Sequence, residues 1–256
     1  MSYADELFNL KDKVVVVTGG TGQLGVQICK AYIQMKAKVI AIDKDISKGQ
    51  LTGVDYSKVD ITKKEEVATA FENVFKEYGK VDILINNAGV SVFEPFEERE
   101  EKSLDLVMDV NLKGTFFCIQ SYVNFYDRYK LEKGSIVNIA SFYGVISPDF
   151  RIYTDCLRKN SEIYGATKAG IIQMTKYFAV HLAERSMRVN AVSPGGIYNP
   201  DNPQGDDFLK NYSFRCPMKR MCKDSEIIGA IVYLSSDASS YTTGHNLIVD
   251  GGMSCW

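Results

Sequence analysis

Four consecutive valines, Val14–Val17, run directly into Thr18-Gly19-Gly20-Thr21-Gly22-Gln23-Leu24-Gly25, and an amphipathic stretch over residues 24–36 follows. An unbroken β-branched run of this length is the pattern of a strand buried on both faces, which parallel sheets require and half-exposed antiparallel sheets do not. The same strand–helix alternation continues along the chain. Apolar, β-branched runs predict strands at 14–17, 38–42, 54–59, 81–85, 135–139, 189–192 and 246–249. Helical periodicity marks 24–36, 63–78 (closed by Gly79), 98–106, 112–128, 163–183 and 225–234. Such alternation through the whole length predicts an α/β chain: a doubly wound, parallel central sheet of about seven strands with helices on both faces. Two long stretches, 142–162 and 195–216, read as irregular. Loops that long in a compact domain carry function, and here they fall at the carboxyl ends of strands.

A length of 256 residues suits one such domain, spanning 1–256, and is short for two. Net charge is −2 with acids and bases interleaved, which argues against a nucleic-acid face or a membrane-seeking surface. Cys29, Cys118, Cys156, Cys216, Cys222 and Cys255 form no C-x-x-C pair, so free thiols in a reducing compartment are expected. The polar, acidic opening Met-Ser-Tyr-Ala-Asp-Glu is unlike an export signal, and no apolar run reaches membrane-span length, so a cytoplasmic setting is expected. His181 and His245 lack metal-ligand spacing and read as structural, and no metal site is expected.

The glycine turn sits between the first strand and the first helix. Glycines there permit a tight turn and let a pyrophosphate approach the helix N-terminus, where free N–H groups and the helix dipole favour anions. With no Lys-Ser/Thr pair behind it, the turn is unlike a nucleoside-triphosphate loop and predicts a dinucleotide-binding Rossmann fold. Thr18, Gly19, Thr21, Gly22, Gln23, Leu24 and Gly25 are its expected contributors. Asp43, ending the second strand, can accept from both ribose hydroxyls and would repel a 2′-phosphate, so NAD is expected over NADP. The neighbouring Lys44 could soften that preference. Asp60, with Ile61 beside it, closes the third strand near where an adenine edge would lie.

Tyr-x-x-x-Lys occurs at Tyr164/Lys168 and also at Tyr32/Lys36, Tyr126/Lys130 and Tyr129/Lys133. The last three read as ordinary surface pairs. Only Tyr164 follows a buried strand ending in a hydroxyl residue, Ser141. A free tyrosine titrates near pH ~10, too high for a base at neutral pH. A lysine one helical turn away adds positive charge that favours the phenolate. Ser141 can polarise a substrate oxygen, Lys168 can also grip ribose hydroxyls, and the Asn111 amide could hold a water that passes protons towards Lys168.

Together these motifs resemble the short-chain dehydrogenase/reductase family in its compact single-domain branch, from Val14 to Gly252. Asn86-Asn87-Ala88-Gly89, Arg188-Val-Asn-Ala-Val-Ser-Pro194-Gly195 and Thr243-Gly-His-Asn-Leu-Ile-Val-Asp-Gly-Gly252 extend the likeness. The resemblance implies a catalytic set of Asn111, Ser141, Tyr164 and Lys168, with hydride transfer between a secondary alcohol and a ketone on NAD(P). It implies that Asn87, Ala88 and Gly89 lie along the cofactor and that Pro194, Gly195 and Ile197 border the nicotinamide, Ile197 through its backbone. It also implies a small-molecule substrate and a homodimer or homotetramer.

Three features depart from the family pattern. The glycines run Gly19-x-x-Gly22-x-x-Gly25, as in the longer sugar-nucleotide-modifying branch; Asn199 stands where many relatives have threonine; and the stretch between Ser141 and Tyr164 is long. Within it, Pro148-Asp149-Phe150-Arg151-Ile152-Tyr153 is similar to oxidoreductases associated with flagellin modification and surface-polysaccharide synthesis, which points to a sugar or sugar-nucleotide. Tyr143, Arg151 and Tyr153 are the expected substrate contacts, with a structural flap or a subunit contact as the competing role for this stretch. Two other functions stay open: a sugar-nucleotide epimerase or dehydratase that uses NAD transiently, and a non-catalytic dinucleotide-binding regulator.

Overall fold

A computed structural model describes residues 2–155 and 159–256. Seven parallel strands form one sheet: β1 (Val14–Thr18), β2 (Lys38–Asp43), β3 (Val54–Lys58), β4 (Ile83–Asn86), β5 (Gly134–Ile139), β6 (Met187–Pro194) and β7 (Asn246–Val249). Their spatial order is β3-β2-β1-β4-β5-β6-β7. The winding therefore reverses between β1 and β4, and the crevice outside the carboxyl ends of those strands is where such sheets take ligands.

The valine run shows how the sheet is held. Val14 and Val16 pack on one face with Phe71, Phe75, Tyr122 and Val189. Val15 and Val17 pack on the other with Ile28, Tyr32, Ile227 and Ile231. Alternate side chains serve opposite faces because the strand period is two. One layer consists of α3 (Lys64–Tyr78), α5 (Thr115–Arg128) and α6 (Glu162–His181); the opposite layer holds α2 (Gln23–Gln34) and α8 (Ser225–Ser235). All four valines are buried, and each contributes roughly 1.5–3 kcal/mol. Gly79 ends α3 as expected, at φ 71°, a left-handed conformation that costs glycine little.

The structure adds elements that periodicity did not reveal. A short α1 (Tyr3–Leu7) is closed by a reciprocal Ser2–Asp5 capping box. The expected helices at 98–106 and 112–128 form a continuous path, α4 (Glu101–Met108) passing through one widened turn, Asp109–Gly114, into α5. The stretch 195–216 is not wholly irregular, because it contains α7 (Asp206–Arg215). Tyr32 and Tyr126, expected at the surface, are buried. The Tyr32 hydroxyl meets Ser235, and the Tyr126 hydroxyl donates to the Arg185 carbonyl. Of the cysteines, Cys29, Cys118, Cys216, Cys222 and Cys255 are free thiols, and Cys156 lies outside the described residues.

A buried polar chain ties the sheet to α6. Asn86 Nδ2 donates to Asn138 Oδ1 (2.8 Å), Asn138 Nδ2 to Thr175 Oγ1 (2.9 Å), and Thr175 Oγ1 to the Ile171 carbonyl (2.8 Å). Severing its middle link strands buried polar groups on both sides. Asn138→Leu is expected to lower unfolding free energy by about 2–3 kcal/mol, measured by urea denaturation; an unchanged midpoint would show that the chain contributes nothing.

Candidate active site

The glycine turn is shaped by contacts that no side chain could share. A Cβ on Gly25 would sit 2.0 Å from the Gly19 carbonyl oxygen, and one on Gly19 would sit 2.7 Å from the Ala88 Cα. Asn87 Nδ2 donates to the carbonyls of Thr18 (3.0 Å) and Gly19 (2.9 Å), while Thr18 Oγ1 accepts from Asn87 N and Ala88 N, each at 3.1 Å. Thr18 and Gly25 thus shape the turn from behind and are not on the cleft wall. The α2 N-terminus carries no acidic residue in its first turn and no side-chain cap, so its N–H groups are left for an anion.

This turn opens one end of a cleft of about 700 Å³. Gly19, Thr21, Gly22, Gln23 and Leu24 line that end, with Asp43, Asp60 and Ile61 further along the rim. Asp43 Oδ2 accepts from Thr21 N at 3.1 Å, which locks the carboxylate beside the turn. Lys44 does not pair with Asp43; its Nζ lies 3.5 Å from Asp60 Oδ2. Asp60 Oδ1 also accepts from Thr62 N and Oγ1. Ile42, Val59 and Val110 line the same cleft and went unnoticed in the sequence, where they read only as strand and helix core. An apolar slot, a carboxylate on the ribose side and an uncapped helix terminus are what an adenine, a ribose and a pyrophosphate need, so the residues present fit a dinucleotide.

At the other end the sequence-predicted catalytic residues converge. Ser141 follows β5, and its Oγ accepts from Tyr143 N at 3.1 Å. Ser161 caps α6 by accepting from Tyr164 N (3.3 Å), which starts the helix so that Tyr164 and Lys168 project one turn apart into the cleft. Lys168 Nζ lies 5.6 Å from the Tyr164 ring centroid and donates to the Ile139 carbonyl at 2.8 Å. Gly89 makes room for it, since a Cβ there would lie 3.2 Å from Lys168 Nζ. Burial pushes the Tyr164 phenol above its usual range, partly offset by a hydrogen bond from Ser141. Burial draws the Lys168 ammonium down to about 8. Proton loss from Tyr164 near neutrality therefore needs added positive charge nearby, and the cation beside its ring is Lys168.

Asn111 is fully buried behind this wall, in the widened turn. Its Nδ2 donates to the Val90 carbonyl and to Thr167 Oγ1 (both 3.0 Å), and its Oδ1 accepts from Val90 N (2.9 Å). Both amide N–H bonds are thus engaged with protein, fastening the Asn87–Val90 turn to α6. A water on this amide would rest on the remaining Oδ1 lone pair.

Pro194, Gly195 and Ile197 border the same cleft as Tyr164. Ile197 bridges Cys222 in parallel register through its neighbours: Tyr198 N donates to the Cys222 carbonyl and Cys222 N to the Gly196 carbonyl, both 2.9 Å. By that geometry the N–H and C=O of Ile197 itself turn the other way. Asn199 accepts locally from Asp201 N and is not on the cleft wall.

The long stretch after Ser141 packs against α7. Ile152 and Phe142 join Phe208, Tyr212, Cys216 and Met221 in a buried cluster. Asp155 Oδ2 accepts from Phe208 N (3.2 Å) in the first turn of α7, and Thr154 Oγ1 accepts from Asn211 Nδ2 (2.9 Å). Between these two segments lies an annex of about 200 Å³ that shares Tyr143, Asn160 and Ile197 with the main cleft. Tyr143 and Tyr153 line it, their hydroxyls 3.1 Å apart. Arg151 requires correction. Its guanidinium is paired with Asp149 at 2.7 Å, its side chain is 85% exposed, and it lines neither cavity. The carboxylate two residues upstream holds it at the surface. Arg158, further along the same stretch, lies outside the described residues.

Comparison with known proteins agrees with this geometry. The family described as enoyl-(acyl carrier protein) reductase matches residues 20–254. The 3-oxoacyl-(acyl-carrier-protein) reductase of Thermotoga maritima is 35% identical, over 95% of this chain and 98% of that one. The ribulose-forming D-arabinitol 2-dehydrogenase of Candida tropicalis is 33% identical, over 97% and 95%. The post-translational flagellin modification protein A of Campylobacter coli is 32% identical, over 95% and 98%. Among solved structures, a short-chain dehydrogenase from Leptospira borgpetersenii with bound NAD+ is 38% identical, superimposes with a TM-score of 0.89, and covers 99% of this chain and 96% of that one. With the parallel seven-stranded sheet and the cleft at its reversal, these matches place the chain in the short-chain dehydrogenase/reductase family, enzymes that move a hydride between an alcohol and a ketone on a nicotinamide dinucleotide.

Proposed function

We propose that this chain is a single-domain NAD-linked oxidoreductase in which Tyr164 moves the proton, Ser141 holds the reacting oxygen, and Lys168 holds positive charge beside the phenol. The observation that carries this reading is the meeting of Ser141, Tyr164 and Lys168 in one cleft, with Ile197 also on its lining. A bound dinucleotide supplies the hydride acceptor or donor. The protein's own groups do the rest. In alcohol oxidation the Tyr164 oxygen takes the hydroxyl proton while Ser141 donates to the same substrate oxygen. In ketone reduction the proton returns from Tyr164. Asn111 keeps the Asn87–Val90 turn and α6 in register so that Lys168 stays under Gly89.

NAD rather than NADP is the partner we favour, because Asp43 is fixed by Thr21 N and the nearby Lys44 is paired with Asp60. The relatives differ in what their names say they act on, from acyl-carrier substrates to a pentitol, so the substrate has to be read from this chain's own pocket. A place in sugar chemistry, such as surface-glycan synthesis, has the support of the Campylobacter coli relative's name. Free thiols are consistent with a reducing, cytoplasmic setting, and among the described residues no helix is long and apolar enough to cross a membrane. Tyr177 and Val180 on α6 and Phe116 on α5 are exposed apolar side chains, which supports a homodimer or homotetramer joined through these helices.

Tyr164→Phe is expected to reduce kcat about 10²–10⁴-fold, the usual worth of a positioned acid–base group, with NAD affinity nearly unchanged. Stopped-flow turnover beside NAD titration checks this, and wild-type turnover in the variant would remove Tyr164 from the chemistry. Asp43→Asn removes the repulsion of a 2′-phosphate. The ratio of kcat/KM for NAD over NADP should fall about tenfold or more, as expected for loss of one charged hydrogen-bonding partner; an unchanged ratio would assign the preference elsewhere. Net NADH formation per turnover separates this reading from an epimerase or dehydratase that restores its cofactor.

A further inference from the structure

The segment that leaves β4 lines the cleft with Ser91 and Phe93 on its way to α4, and it is fastened at two points. Asn111 holds its start through the N–H and carbonyl of Val90. Arg99 holds its end. The Arg99 side chain is only 6% exposed, although it carries a guanidinium. Its Nε and Nη2 donate to the two carboxylate oxygens of Glu162 at 2.6 and 3.1 Å. Its Nη1 donates to Glu94 Oε2 and its Nη2 to the Glu94 carbonyl, both at 3.0 Å. Ser103 Oγ, on α4, donates to the other Glu94 carboxylate oxygen. Glu162 opens α6, two residues ahead of Tyr164. A longer contact joins the same two segments: Ser91 Oγ lies 3.4 Å from Asn160 Oδ1, and both residues line the cleft.

Stability alone is a poor reason for this arrangement. Taking charges out of water is expensive, and a buried ion pair commonly stabilises a fold no better than apolar side chains of the same volume. What the apolar replacement loses is direction. A planar guanidinium donates along fixed lines, meets a carboxylate edge with two parallel bonds, and keeps further N–H groups for a second partner. Here one edge of the fork faces α6 and the rest faces Glu94, so the angle between the two segments is set as well as their separation. A lysine ammonium, a point charge, fixes no such angle. Neither Arg99 nor its two carboxylate partners line the cleft, so their effect reaches the reaction through the segments they join. One of those segments is the first turn of α6, where a helix has the fewest backbone bonds of its own. Misplacing reacting groups by roughly 1 Å can cost about 10²-fold in rate.

We propose that Arg99 is a positioning residue for hydride transfer: its fork onto Glu94 and Glu162 holds the Ser91–Phe93 wall and the first turn of α6 in the relative placement at which a substrate hydroxyl meets the Tyr164 oxygen. This rests on the reading of Tyr164 as the proton-transfer group and adds to it the device that aims that group.

Wild type, Arg99→Lys, Glu162→Gln and the double variant are compared by NADH formation at saturating NAD, with rates scaled to the NAD-binding sites titrated in each sample. The probe is whichever of 2-butanol, glycerol and D-arabinitol the wild type oxidises fastest. Arg99→Lys keeps the charge and loses the fork; it should lower kcat and kcat/KM together by about tenfold or more, with NAD affinity nearly unchanged. Glu162→Gln, at a half-exposed carboxylate, should lower both by about three- to tenfold. The double variant should be within about twofold of Arg99→Lys, because the two side chains act as one unit. Wild-type kcat per site in Arg99→Lys, even with a lower melting temperature, makes the cluster structural only and overturns the assignment. So does a double variant in which the two single losses multiply, or a matching loss of NAD affinity. Should Arg99→Lys fold poorly, Glu162→Gln decides, and unchanged kcat there overturns the assignment. Each of these outcomes leaves hydride transfer standing. That reading fails separately, and this one with it, if Tyr164→Phe keeps wild-type turnover or if the wild type binds NAD and oxidises none of the three alcohols.

Discussion

The proposed chemistry of this protein depends on one buried charge. Lys168 is 3% exposed, has the Ile139 carbonyl as its partner, and sits where the absence of a side chain at Gly89 leaves room. An ammonium in that position is kept at a cost, and burial brings it down to about 8. Much of the surrounding architecture positions it. Ser161 sets the start of α6, Asn111 clamps the Val90 turn to Thr167, and the Asn86–Asn138–Thr175 chain holds the same helix against the sheet. In the proposed mechanism a charge this constrained supplies a fixed field beside the Tyr164 phenol.

Where the cofactor end is rigid, the substrate end is assembled from two segments that need each other. The stretch after Ser141 has little periodicity of its own, and α7 exposes Phe208 and Tyr212 unless something covers them. Ile152 and Phe142 cover them, and Asp155 accepts from the first turn of a helix more than fifty residues away in sequence. The structural role expected for this stretch is shown by that packing. The packing that stabilises α7 also encloses the annex.

How much could be read beforehand follows the range of the forces involved. Val14–Val17, Gly79 and the glycine turn act locally or through the two-residue pleat, and each was legible. So was Tyr164, because the strand and serine ahead of it singled it out among the Tyr-x-x-x-Lys pairs. By contrast α7 depends on a distant acceptor and a distant apolar cover, so its own sequence looked irregular. The widened turn at Asp109–Gly114 was missed since it leaves no compositional mark; it was visible only as a gap between two helical periodicities. Tyr32 and Tyr126 looked like surface residues until tertiary partners for their hydroxyls appeared. Arg151 failed for a local reason, capture by Asp149.

The central claim is that the Lys168 ammonium helps set the ionisation of Tyr164. At 5.6 Å from the ring, the ammonium lies in the range where a neighbouring opposite charge favours the ionised form of an acid. The decisive measurement is the pH dependence of kcat/KM for alcohol oxidation in the wild type and in Lys168→Met, each saturated with NAD. Oxidation should rise with pH as Tyr164 loses its proton, and the midpoint in Lys168→Met should lie higher by about one unit or more. A variant whose rate falls while its midpoint stays in place would contradict the account, leaving Lys168 as a grip on the cofactor and nothing more.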